Sequence, residues 1–64
     1  MKFIKITQLE GSSKWICYIS VDKIIRIGGA NDGALIDMQD KVFIFTEETP
    51  EQILELIEKA GEKA

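Results

Sequence analysis

The residues of this chain that could do chemistry begin with Glu47, Glu48 and Glu51, set beside Thr46 and Thr49. Carboxylate and hydroxyl oxygens are the ligands that calcium and magnesium take, yet no Asp-x-Asp-x-Asp-Gly spacing accompanies them. Acids also suit the positive end of a helix, so the cluster reads as a solvated helix start. The glycine-rich run Gly28-Gly29-Ala30-Asn31-Asp32-Gly33 could cradle a phosphate only if it led into a helix, usually with a lysine. It leads into a β-branched, apolar stretch and holds no lysine. Cys17 is the single cysteine and the chain has no histidine, so neither a thiol–imidazole pair nor a structural zinc site can be built. A packed, inert thiol is the expectation there. Asp22, Asp32, Asp37 and Asp40 are dispersed and form no carboxylate pair for acid–base work. The reading is a non-enzymatic protein with no catalytic residue, no metal site and no cofactor.

One mixture of side chains does suit binding. Lys14, Trp15, Tyr18, Lys23 and Arg26 combine positive charge with rings on which bases could stack. Trp15 and Tyr18 are out of phase, however, and fall on opposite faces of an ideal strand. Eleven acidic residues against eight basic give a formal charge of −3. That balance argues against nucleic acid, whose affinity comes largely from neutralising phosphates, and against anionic membranes. Trp15 and Phe43 read instead as anchors of a protein contact.

The elements that must position these residues are legible from periodicity and punctuation. Thr49-Pro50-Glu51-Gln52 carries an N-cap, a proline at the first helical position and a Thr-x-x-Gln capping box. Ile53, Leu56, Ile57 and Ala60 fall at i, i+3, i+4 and i+7, which predicts a helix over 50–60 that Gly61 stops. Strands are predicted over 1–9, 14–21, 24–27, 34–38 and 42–46. Glu10 to Ser13 forms a turn, Asp22-Lys23 a tight bend, 28–33 a flexible hairpin loop and Gln39-Asp40-Lys41 a short connection. The fold class is therefore α+β: one domain over 1–64, with a small antiparallel sheet of four to five strands and one C-terminal helix packed on it.

The strand faces carry a further expectation. Ile16 and Tyr18 oppose Trp15, Cys17 and Ile19, while Phe43 and Phe45 oppose Val42 and Ile44. Two strands are thus apolar on both faces, and one short helix covers one face. The other must be buried by the sheet wrapping onto itself or by another subunit. A subunit is favoured, because so short a chain closes a barrel with difficulty. A domain of this size is marginally stable, and it has neither disulfide nor metal to staple it, which also points to a homo-oligomer, most simply a dimer. The lone thiol suits a reducing, cytoplasmic setting, and no apolar run is long enough to insert in a membrane.

The order of elements resembles one family. Ile6-Thr7-Gln8-Leu9-Glu10-Gly11 is similar to the "hydrophobic-Thr-Arg-Leu-Asn-Gly" opening of FlbD-type flagellar and swarming motility proteins. Ile19-Ser20-Val21-Asp22-Lys23-Ile24-Ile25-Arg26-Ile27 resembles their "Leu-Asn-x-Asp-x-Ile-x-x-Ile" segment, and the stretch from Phe43 to Ile53 their "Val-Val-x-Glu-Ser-x-Glu-Glu-Val" ending. Gln8 and Glu10 stand where the family has Arg and Asn, and Gln39-Asp40-Lys41 where it has an Asn-Gly turn. The resemblance implies a non-enzymatic effect on flagellar assembly or motor power. Small bacterial and phage-encoded proteins share the same plan. A shorter likeness, over Ile19 to Ile57, is to the first half of LytTR-type DNA-binding domains. The expected function is a small interaction or regulatory module that self-associates through its sheet and meets an unidentified protein partner. The alternative is a nucleic-acid-binding module using Lys14, Trp15, Lys23 and Arg26.

Overall fold

A computed structural model describes residues 2–62. Five strands are present: β1 (Phe3–Glu10), β2 (Ser13–Ser20), β3 (Ile24–Ala30), β4 (Gly33–Met38) and β5 (Phe43–Thr46). A 3-10 turn, Val21–Lys23, joins β2 to β3, and helix α1 (Pro50–Glu62) follows β5. The strands form one antiparallel sheet in the order β2-β1-β5-β4-β3. The α+β architecture expected from the sequence is the one found.

The sheet is curled. β2 and β3 are its two edges, yet only the three residues of the 3-10 turn separate them in the chain. Five flat strands at ~4.8 Å spacing would hold the edges ~19 Å apart. The four steps from Ser20 to Ile24 reach at most ~14 Å even when extended. The sheet must therefore bend, and its concave side encloses the core. Every strand and the helix contribute: Ile4 and Ile6 from β1, Ile19 from β2, Ala34, Ile36 and Met38 from β4, Ile44 from β5 and Ile53 from α1 are buried, with Ile24 and Ile27 of β3 packed against them. Wrapping thus helps α1 to enclose the concave face, because a three-residue link between the edges leaves the sheet no flat alternative; the second apolar face stays open.

α1 fills the space that β5 leaves. β5 pairs with β1 only at Gln8 and Leu9, and the amide of Glu47 donates to the Thr7 carbonyl at 2.9 Å. Beyond that point the chain becomes helix and lies along the first half of β1, its Gln52 and Leu56 sharing a small groove with Lys5 and Thr7. Its last turn comes close to Lys2, whose ammonium complements the negative end of the helix. The helix start matches the sequence reading: the Thr49 amide donates to Gln52 Oε1 at 2.9 Å and the Gln52 amide to Thr49 Oγ1 at 3.2 Å.

Several boundaries differ from expectation: Glu10 and Ser13 belong to β1 and β2 rather than to the turn, Val21 to the 3-10 segment rather than to β2, and Val42 precedes β5. Gly61 does not stop the helix, which runs through Glu62; its φ is not left-handed, so no C-terminal glycine motif forms. Residues 28–33 are not a flexible loop. β3 continues through Gly28 and Gly29 to Ala30, which pairs with Gly33, so the turn is Asn31-Asp32 alone. Asn31 supplies the positive φ, +53°, and asparagine tolerates that region. The matching turn between β1 and β2 is Gly11-Ser12, with Gly11 at φ +61°.

Candidate functional site

The outer, convex face of the sheet can be followed strand by strand from the register. Lys14 of β2 lies opposite Leu9 of β1, Leu9 opposite Phe45 of β5, Phe45 opposite Leu35 of β4, and Leu35 opposite Gly28 of β3. Around this row the same face carries Phe3, Ile16, Tyr18 and Phe43, since Phe43 pairs with Asp37 and Ile16 with Thr7. Five large apolar residues of this face are half or more exposed: Phe3 50%, Ile16 57%, Tyr18 65%, Phe43 58% and Phe45 51%. α1 packs through Ile53 onto the concave core and flanks β1 beside Lys5 and Thr7, leaving these five residues exposed.

Two cross-strand ion pairs lie on the same face. Lys14 Nζ is 2.9 Å from Glu47 Oε2, and Arg26 Nη2 is 3.5 Å from Asp37 Oδ2. The first is solvated at both ends and the second at its Arg26 end, so each is worth ~0–1 kcal/mol of stability. Each of these two cations thus faces an acid, whereas Lys5, opposite Tyr18 on the same face, is exposed.

The basic and aromatic candidates do not converge. Lys14 and Tyr18 sit on the convex side of β2, whereas Trp15 points to the concave side, opposite Gln8. Lys23 belongs to the 3-10 turn and Arg26 to the far edge in strand order. Phe43 joins Tyr18 on the convex face. Ile16, Phe45 and Phe3 complete that face and were not among the sequence candidates. The period-two alternation of Phe43 and Phe45 was the signal for one of them; strand pairing was needed to bring Leu9, Leu35 and Ile16 beside them.

The acidic cluster is divided among three tasks. Glu47 pairs with Lys14, Glu51 stands exposed in the first turn of α1, and Glu48 Oε1 accepts the Thr7 amide at 2.8 Å. Glu48 thereby supplies to β1 the acceptor that β5 would have provided one residue further on. Thr46, 1% exposed, donates from Oγ1 to the Glu48 carbonyl at 2.9 Å and shapes the crossing into the helix. Among the described residues no three metal-ligating side chains come together. Cys17 lies opposite Ile6, and its thiol is 3.5 Å from Gln8 Oε1. Burial, and then the charge of Glu48, push the thiol pKa above its ordinary value, which disfavours the thiolate that a nucleophile needs. An open groove of about 790 Å³ runs between Phe43 and Phe45 and the Asn31-Asp32 turn. The one hydroxyl in its wall, Thr46, is already committed to the chain crossing. No helix among the described residues is long and apolar enough to cross a membrane. Comparison with protein-family models, with curated proteins and with solved structures yields no match.

Proposed function

We propose that this chain is a small non-enzymatic interaction or regulatory module that self-associates through its sheet, as a dimer. The observation that carries the reading is the open apolar surface of the sheet, concentrated on the convex face and along β2, where Trp15, Ile16 and Tyr18 are all exposed. Contiguous apolar surface of that kind marks interaction sites in small domains. β2 is also an edge strand, and an antiparallel edge is complementary to its own copy, which supports a second copy as the occupant. The FlbD-type resemblance supports the same class of function. Two of the segments that carry it meet in the fold, where the Glu48 carboxylate takes the amide of Thr7. The lone, shielded thiol fits a reducing compartment.

Sedimentation equilibrium across micromolar concentrations, with thermal melts at the same concentrations, tests the reading. A dimer whose melting temperature rises with concentration is expected, because assembly and folding are linked by mass action. A monomer with a concentration-independent melt would refute it.

A further inference from the structure

We propose that two copies join edge to edge, β2 against β2 in antiparallel register about a twofold axis at Ile16, so that the two five-stranded sheets become continuous. The inference rests on the self-association proposed above and specifies the contact.

The hydrogen-bonding direction of β2 follows from its hairpin. The two-residue turn Gly11-Ser12 is closed by the pair Glu10 and Ser13, and the closing pair of such a hairpin exchanges backbone hydrogen bonds. Alternation then makes Gln8–Trp15, Ile6–Cys17 and Ile4–Ile19 the bonded pairs. Lys14, Ile16 and Tyr18 direct their amides and carbonyls away from β1. Thr7, the partner of Ile16, confirms the phase: its amide and carbonyl are taken on the opposite side by Glu48 and by the Glu47 amide. β2 has no second neighbour among the described strands. Its free edge thus presents an unpaired donor and acceptor at every second residue.

That edge lacks the devices that keep edge strands from pairing. β2 runs eight residues without a bulge or a proline, and Lys14 is its one charged residue. The other edge is different: β3 shifts register between Ile24 and Arg26, exposes the Arg26 guanidinium and then runs through Gly28 and Gly29. Only β2 offers a straight template.

An antiparallel edge is complementary to its own copy, and parity limits the register. Full overlap would pair Ser13 with the partner's Ser20 and set outward groups against inward ones. The allowed neighbours centre on Ile16 or on Cys17. Centring on Cys17 draws in Ser20, where the chain already turns into the 3-10 segment and the Val21 amide donates to Lys2. Centring on Ile16 avoids that turn. It pairs Ile16 with the partner's Ile16, and it sets Lys14 beside the partner's Tyr18, ammonium against ring. It also lays Trp15 next to the partner's Cys17, which covers an indole now 42% exposed.

Proline is tolerated on an edge where its missing amide faces solvent, so Ile16→Pro should keep the fold by far-UV circular dichroism while raising the dimer dissociation constant at least tenfold in sedimentation. Phe45→Lys, on the convex face away from the edge, should leave that constant within about twofold. Bonded antiparallel pairs place their Cα atoms ~5.5 Å apart, inside the span a disulfide bridges. Ile16→Cys in a Cys17→Ser background should therefore give a covalent dimer on mild oxidation, faster than the parent with Cys17 alone. A folded Ile16→Pro variant that stays dimeric, or an Ile16→Cys variant that does not cross-link ahead of the parent, overturns the edge contact. If Ile16→Pro does not fold, the cross-linking result decides. A parent that is monomeric throughout sinks self-association itself, whereas a dimer dissociated by Phe45→Lys but not by Ile16→Pro keeps self-association and rejects the edge.

Discussion

At the scale of single residues, the tightest constraint falls on a glycine with an ordinary φ. A Cβ on Gly33 would land far inside van der Waals contact distance of the Thr46 carbonyl oxygen, and backbone on both sides leaves nothing flexible to give way. Gly33→Ala should therefore cost ~3 kcal/mol or more, the upper end of what overpacking does. Gly28→Ala, which meets open space, should be tolerated; chemical denaturation of the two variants makes the comparison. Cys17 gives a pH-dependent test. Its pKa is raised by burial and by Glu48, so the unfolded thiol ionises before the folded one. The stability it contributes is complete below the unfolded thiol's pKa and is lost as pH rises through the folded value. The denaturation midpoint of the parent should fall more steeply in the alkaline range than that of Cys17→Ser. Parallel pH profiles for the two would show that the thiol is not shielded.

At the scale of elements, the two ends of α1 make opposite demands. At the start, Thr49 and Gln52 satisfy each other's amides. Thr49→Ala should cost ~1 kcal/mol, and Thr49→Asp should be nearly neutral because its carboxylate accepts the same bond. At the end, Gly61 is helical and its missing Cβ would meet only the Lys2 ammonium at 3.8 Å, an ordinary contact. Gly61→Ala should accordingly stabilise by ~0.5 kcal/mol through the helix preference of alanine. A glycine serving as a left-handed stop would respond with a loss, so the sign of the change in thermal melts separates the two roles. The Gln39-Asp40-Lys41 connection holds another local misfit: Lys41 adopts φ +69°, a region that costs a side-chain-bearing residue ~1–2 kcal/mol. Lys41→Gly should relieve part of it and raise the melting temperature.

At the scale of the whole molecule, the core depends on how the helix meets a curled sheet. Ile53 is fully buried, whereas Leu56, Ile57 and Ala60 are partly exposed at the core's margin. Ile53→Ala should cost ~2–5 kcal/mol, enough to unfold much of so small a domain, and Leu56→Ala should cost clearly less. Equal losses would mean that the helix sits deeper along its length than its burial indicates. The same geometry leaves the convex side of the sheet apolar and open. Among the described residues no element covers it, and an edge-to-edge dimer would extend this face across two copies rather than bury it.

Much of this was written in the chain itself. The capping box, the helical stripe, the period-two faces of β1 and β2 and the α+β class all follow from nearest-neighbour physics: dihedral preferences, local hydrogen bonds and side chains that share a face because of backbone period. Sequence could also state that two strands were apolar on both faces. It could not state where those faces would go. The pairing of β1 with β5, which sets Leu9 beside Phe45, joins residues 36 positions apart, and no local preference encodes that register. Likewise the glycine run looked like a loop because glycine permits many conformations. The close packing of Gly33 on Thr46, and the one positive φ at Asn31, turned it into strand and a two-residue turn. The curl came from connectivity: three residues must join the two edges of one sheet, a constraint that exists only once the strand order is known.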